Sequence, residues 1–179
     1  GVKRVQDRIK LTNGPEFKML YDEQMANMSS SFNDQYFKAN TDWQKEIFQN
    51  AFLNYNNISI TGATEKNRFY LGLGYINEEG LIKHEEYKKY TINFSDELRV
   101  SKALKFGFVF NGYYADLPVE RQVASAIRAA PIAPVYDPNA SGLLHTMPAF
   151  QRAQVFNPLV AIEEEKFTAR RKEYRAVGS

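Results

Sequence analysis

Few side chains in this sequence stand where they could run a reaction. His84 and His145 are the two histidines, and neither has a partner at metal-ligand spacing, so each reads as a solvated loop residue. The carboxylate run Glu163-Glu164-Glu165 is followed by Lys166 and then Arg170-Arg171-Lys172. Internal charge pairing in a solvated loop accounts for it, with cation binding as the sharper reading. Gly72-Leu73-Gly74 lacks the third glycine of a phosphate cradle and sits inside an alternating run, where glycines make room for a neighbouring backbone or ring. Two aromatic residues remain as ligand-contact candidates, Trp43 and Tyr136, because a ring can stack on a sugar face or a peptide side chain. For Trp43 the plainer alternative is packing inside its own short helix with Ile47 and Phe48. Pro131 and Pro134 stiffen a loop. No catalytic, cofactor or metal constellation emerges, and the expectation is a protein that is not an enzyme.

The composition narrows the class further. The chain has 179 residues with 23 basic and 21 acidic side chains, a net charge of +2 that lacks the concentrated basic stripe of a nucleic-acid binder. There is no cysteine, which removes disulfide scaffolds, thiolate zinc sites and thiol catalysis. No run near 18 apolar residues and no secretory leader is present, so no helical membrane span is expected. Aromatic residues make up 14% of the chain at a mean hydropathy of −0.49. An aromatic excess on a polar average suits strands that show different faces to different surroundings.

Alternation at period two supplies those strands. Phe69, Leu71, Leu73 and Tyr75 share one face of a run from Arg68 to Asn77, opposed by Tyr70, Gly72, Gly74 and Ile76. Phe106, Phe108, Phe110, Gly112 and Tyr114 share a face between Leu104 and Ala115. Tyr90, Ile92 and Phe94 alternate with Lys89, Thr91, Asn93 and Ser95, and Ile58 and Ile60 with Ser59 and Thr61. Weaker strands are expected from Val2 to Leu11 and from Glu173 to Ser179, for about six in all. Three helices are predicted between them. One starts at Pro15 after a turn at Asn13-Gly14 and runs to Asn27. Another opens on a Thr41 to Gln44 capping box and carries Trp43, Ile47 and Phe48. The third runs from Pro118 to Arg128 and ends before Pro131.

The connections between these strands run about 45 residues, then about 5, about 11 and about 8, then more than about 50. Long and short connections that segregate in this way fit an outer-membrane barrel, with tight periplasmic turns at one end and long decorated loops at the other. On that reading residues 12–56 and 116–172 are outer loops, and the segments near Gly62 to Asn67 and Leu98 to Ala103 are periplasmic turns. A β-sandwich or lectin-like domain with its aromatic face as core shares the alternation. Against it, Tyr70, Gly72, Gly74 and Ile76 make a poor solvent face. The Phe106, Phe108, Phe110 and Tyr114 face suits either lipid or a core.

Several motifs in order then resemble one family. Asn40-Thr41-Asp42-Trp43-Gln44-Lys45-Glu46-Ile47-Phe48 resembles the "NTDW…IF" segment of the SusC/RagA-type TonB-linked outer-membrane proteins of the Bacteroidetes. The strand that follows it there is matched by Asn57-Ile58-Ser59-Ile60-Thr61-Gly62. Tyr70-Leu71-Gly72-Leu73-Gly74-Tyr75-Ile76-Asn77-Glu78-Glu79-Gly80-Leu81-Ile82 is similar to the family's glycine-punctuated strand, and Tyr87 to Phe94 to the strand after it. Ala130-Pro131-Ile132-Ala133-Pro134-Val135-Tyr136-Asp137 resembles a "PPI.PVYD" loop, and Asn157 to Glu164 an "NPVA.LEE" approach to a strand. Glu16, Phe17 and Tyr21 fit the region after the plug domain. Ala63 departs from the pattern, where the family usually has a second glycine.

The resemblance covers nearly the whole chain and implies a single segment, 1–179, of an early barrel region. In the family a plug and a barrel of about 22 strands complete the protein. It implies location in the cell outer membrane, import of an oligosaccharide or peptide, a SusD-like lipoprotein over the outer loops, TonB acting through the plug, and lipid around the wall. The fold expected is mainly β, with antiparallel up-and-down strands and helical loops. In isolation the loops are expected to fold back over the sheet into an α+β body. The competing functional reading is a soluble β-rich carbohydrate-binding module.

Overall fold

The computed structural model describes residues 1–29, 38–118, 123–137, 139, 141–144, 157–165 and 170–179. Their strands form one sheet in sequence order: β1 (Val2–Lys3), β2 (Ala51–Ala63), β3 (Asn67–Glu79), β4 (Glu86–Arg99), β5 (Lys105–Pro118) and β6 (Arg170–Gly178). Every neighbouring pair is antiparallel. This is the up-and-down meander that the alternation predicts. Single-sheet architecture also speaks against the sandwich alternative, because among the described residues no second sheet covers the phenylalanine face. Phe106 and Phe108 stay exposed.

Two ends of the sheet differ sharply. At one end, residues 64–66 and 100–104 close tight turns. The first is built on Thr64, whose hydroxyl accepts from the backbone N–H groups of Lys66 and Asn67. At the other end lie the β3–β4 connection at 80–85 and the two long segments 4–50 and 119–169. The predicted loop limits are therefore corrected at both segments. Ala51 to Asn56 belong to β2, β5 extends through Pro118, and β6 begins at Arg170. β-branched and aromatic residues let these strands run past the boundaries that turn residues suggested.

Among the described residues the long segments carry four helices: α1 (Gly14–Asn27), α2 (Trp43–Ile47), α3 (Val123–Arg128) and α4 (Pro158–Glu165). In α1 the Asn13 side chain accepts from the Glu16 N–H, and the Glu16 carboxylate accepts from the Asn13 N–H. The reciprocal capping box thus stands at Asn13, and the one predicted at Thr41 is absent. Asp42 caps α2 by accepting from the Lys45 N–H. Thr41 Oγ1 donates instead to the Ala133 carbonyl at 2.7 Å, and the Gln44 amide bridges the backbone of Ile9. Both Thr and Asp can cap, and a partner distant in sequence decided which one does.

Three more expectations change. The strand predicted from Val2 to Leu11 is a two-residue rung, because the segment after Lys3 leaves the sheet edge to reach Gln44. Pro118 belongs to β5, and the described part of the third helix is Val123–Arg128. Residues 119–122 lie outside the described set. The approach to the last strand is helical: Asn157 accepts from the Leu159 N–H and Pro158 opens α4, a start that suits proline because its missing N–H would be unpaired there anyway.

The hydrophobic core lies among the loops. Trp43, Ile47, Ile82, Ala126, Ile132, Leu159 and Ile162 form one buried cluster, with Phe17 and Tyr21 packed at its margin. α2 packs on α3 and α4. The described parts of the loops thus build a cap of their own at one end, and among the described residues the helices pack on one another, where folding back over the strands was expected. None of the helices is long and apolar enough to cross a membrane among the described residues, a statement that bears on helices only.

Candidate functional site

Register turns the alternating runs into two continuous surfaces. On the first face, Asn56, Tyr75, Tyr90, Tyr114 and Tyr174 lie side by side across five strands. Neighbouring tyrosine rings stand 4.9, 6.1 and 4.9 Å apart, within the range of favourable ring pairs. The next level holds Ile58, Leu73, Ile92, Gly112 and Ala176, and the one after it Ile60, Leu71, Phe94, Phe110 and Gly178. Phe69 and Phe108 follow, flanking Asp96, and the face ends near Leu98 and Phe106. Above the tyrosines the same face turns polar, with Asn54, Asn77, Lys88, Asp116 and Lys172 in register. From the Tyr90 level to the Leu98 level this band is about 20 Å tall for a strand tilted as in a barrel.

The opposite face is built of other material. Asn57, Gly74, Thr91, Tyr113 and Arg175 form one level, and Ser59, Gly72, Asn93, Asn111 and Val177 the next. Charge is present and paired here: the Tyr113 hydroxyl donates to Glu173, and Lys89 Nζ sits 4.6 Å from the centre of the Tyr113 ring.

Glycines serve both faces by leaving space. A Cβ on Gly62 would lie 2.2 Å from Phe69 Cε1, because the Phe69 ring covers its cross-strand partner. On the polar face a Cβ on Gly72 would meet the Tyr70 hydroxyl. Gly72 and Gly74 therefore make room for side chains, as their place inside a strand predicted.

The cap is joined by a lock between its two long segments. Four successive carbonyls accept from one short stretch. Trp43 Nε1 donates to Ala130, the Thr41 N–H to Pro131, the Ala39 N–H to Ile132, and Thr41 Oγ1 to Ala133. Residues 47–49 pair in turn with the 80–83 connection, where the Lys83 N–H donates to Ile47 and the Gln49 N–H to Leu81. The cap thereby sits directly on the β3–β4 connection. A cleft of about 360 Å³ opens in the cap beside Arg8, Asp42 and Arg128, and a groove of about 800 Å³ runs under the tyrosine row on the apolar face.

Comparisons with known proteins find relatives in sequence and in fold. A TonB-dependent receptor of Formosa agariphila is 33% identical over 110 residues, which is 61% of this chain and 11% of the relative. The TonB-dependent receptor SusC of Bacteroides thetaiotaomicron is 29% identical over 105 residues, 55% of this chain and 10% of its own. The solved RagAB peptide transporter matches with a TM-score of 0.53 over 80% of this chain and 18% of that one. At 22% identity this structural likeness speaks for the fold. The chain is similar in sequence to SusC and other TonB-dependent receptors. It spans about a tenth of the length of these curated relatives. No family model matches it.

Within this SusC-like segment the two aromatic candidates part company. Trp43 is 3% exposed and packs in the cap core beside Ile47, with its indole N–H committed to Ala130. The packing alternative describes it. Tyr136 is 57% exposed on a separate bridge to Leu144, so the two rings do not form one surface. His84 pairs with Glu163, its Nε2 lying 2.7 Å from Oε1, and so links the β3–β4 connection to α4. No spacing in the sequence indicates that pair. His145 and Lys166 lie outside the described residues. What the sequence analysis missed is the aligned tyrosine row, because each strand contributes one member and only register collects them.

Proposed function

We propose that this chain forms part of the wall and outer loops of a TonB-dependent nutrient importer in the cell outer membrane. The observation that carries the reading is the pair of unlike sheet faces, one apolar with an aligned tyrosine row at its upper margin, the other mixed, with glycines and polar side chains beside Tyr70 and Tyr113. A wall between hydrocarbon and a filled lumen asks for that division, and the tyrosines sit where aromatic girdles mark the membrane–water boundary. The cap then faces outward and the turns at 64–66 and 100–104 face the periplasm.

On this reading residues 1–179 are one segment of a longer barrel whose plug and remaining strands lie elsewhere in the parent protein. The cargo is an oligosaccharide or a peptide, a SusD-like lipoprotein covers the cap, and TonB acts through the plug. The segment's own role is structural. A soluble carbohydrate-binding module fits less well, since it would leave both faces of a single sheet in water with Phe106, Phe108 and Tyr174 exposed.

Adjacent residues on β4 test the assignment. In the full-length parent, Ile92→Arg is expected to lower the yield of heat-modifiable barrel in the outer membrane, reflecting a cost of about 2–4 kcal/mol for a cation at mid-bilayer. Asn93→Arg is expected to leave that yield near wild type. Equal loss from both variants, or loss from Asn93→Arg alone, would overturn the reading.

A further inference from the structure

We propose that the cleft in the cap binds the carboxylate group of a small ligand, held by the guanidinium groups of Arg8 and Arg128. At about 360 Å³ the cleft falls within the size range of small-molecule sites. Its charged lining is Arg8, Asp42 and Arg128, two cations against one anion.

Which atoms are already committed decides what the cleft can take. Both oxygens of the Asp42 carboxylate are occupied, Oδ1 accepting from the Lys45 N–H at 3.0 Å and Oδ2 from Arg8 Nη1 at 2.8 Å. Asn13 and Asn40 also line the cleft, and their acceptors are occupied in the same way, Oδ1 of Asn13 by the Glu16 N–H and Oδ1 of Asn40 by the Gly14 N–H. A backbone N–H can pair only with the oxygen of an amide, so these bonds fix both side chains and leave each Nδ2 as a donor. Arg128 commits Nε to the Ala124 carbonyl at 3.1 Å. Among the described residues nothing accepts from its two terminal nitrogens, from Arg8 Nη2 or from either Nδ2. These side chains have their acceptors filled and donors left over, which is the make-up of an oxyanion site.

The planar fork of arginine matches a carboxylate with two parallel hydrogen bonds. A single net positive charge suits a monoanion, whereas a phosphate dianion would set a second negative charge against Asp42. Leu11 and Phe17 in the same lining offer the ligand's carbon skeleton an apolar contact. A carboxylate can come from an acidic sugar or from the C-terminus of a peptide. Only the ligand's arrival from outside the cell rests on the wall reading.

Calorimetric titration of the full-length parent in detergent tests the site with two pairs of probes: digalacturonate beside its methyl ester, and alanyl-phenylalanine beside its C-terminal amide. In at least one pair the acid is expected to bind about tenfold or more tightly than its neutral analogue, and the pair that shows this names the source. Arg128→Gln is expected to erase the advantage, and Arg128→Lys, which keeps the charge without the fork, to retain part of it. Absence of an acid advantage in both pairs, or an advantage that survives Arg128→Gln in full, overturns the cleft assignment and leaves the wall reading standing. If the wild-type parent lacks the heat-modifiable mobility of a barrel yet binds an acid in an Arg128-dependent way, the wall reading falls and the cleft assignment stands.

Discussion

The indole N–H of Trp43 donates to the carbonyl of Ala130 at 2.9 Å, across 87 positions of sequence. It is one of four bonds by which residues 39–43 hold the backbone of 130–133, and it makes the two long segments a single cap.

Loss of that anchor should loosen the cap before it affects the sheet. Trp43→Ala removes a large buried side chain and is expected to destabilise the cap by about 3–5 kcal/mol. Trp43→Phe keeps much of the packing and forfeits the bond, while the Ala130 carbonyl still accepts from the Ala133 N–H, at about 0.5–1.5 kcal/mol. Hydrogen exchange on the parent protein is the check: amides of α2 and α3 should lose protection while those of β3 and β4 keep theirs.

Gly62 and Phe69 form a second coupled pair, since the ring occupies the space that any side chain at Gly62 would need. Gly62→Val is expected to cost about 1–3 kcal/mol through overpacking. Combining it with Phe69→Ala should recover part of that loss, a coupling that a double-mutant cycle of urea titrations on the barrel in vesicles would measure. Strict additivity would show that the ring does not cover the glycine.

Tyr90 and Tyr114 each stand between two tyrosines, Tyr90 beside Tyr75 and Tyr114. Tyr90→Ala forfeits both ring pairs, about 0.5–1.5 kcal/mol each beyond the area lost. Tyr90→Leu retains apolar area and should fall between Ala and wild type in the same titration.

His84 adopts a left-handed backbone, with φ of 64°, at the point where the β3–β4 connection meets Glu163 in α4. A β-branched residue tolerates that conformation poorly, so His84→Val is expected to cost about 1–3 kcal/mol. His84→Gly relieves the backbone and gives up an exposed pair worth up to about 1 kcal/mol, for a result close to neutral. Thermal unfolding of the parent protein should rank Val well below both Gly and wild type.

Much of the sheet was readable because each strand records its two surroundings independently. β3 and β5 show the alternation whole, and neither needs its neighbours to be recognised. The glycines could be placed for the same reason. Helix starts were harder. Thr41 and Asp42 carry equivalent capping chemistry, and the Ala133 carbonyl took Thr41 away from that role. α4 was missed because Asn157-Pro158 opens a short apolar run with no strong period. The resemblance located the Asn40-Thr41-Asp42-Trp43 and Ala130 to Asp137 motifs separately, with nothing in either to show that they bind each other.

The order of residues alone determined the local character of this protein: which side chains share a face, where turns fall, and which family its motifs resemble. These follow from backbone period and side-chain chemistry, which act over a few neighbouring residues. Tertiary structure decided which strands stand side by side and in what register. That pairing gathered Tyr75, Tyr90, Tyr114 and Tyr174 into one row, turned Trp43 inward and brought His84 to Glu163. Each of these joins residues distant along the chain, and only the closure of hydrogen-bonded ladders and the packing of the loop core select among the many ways they might have met.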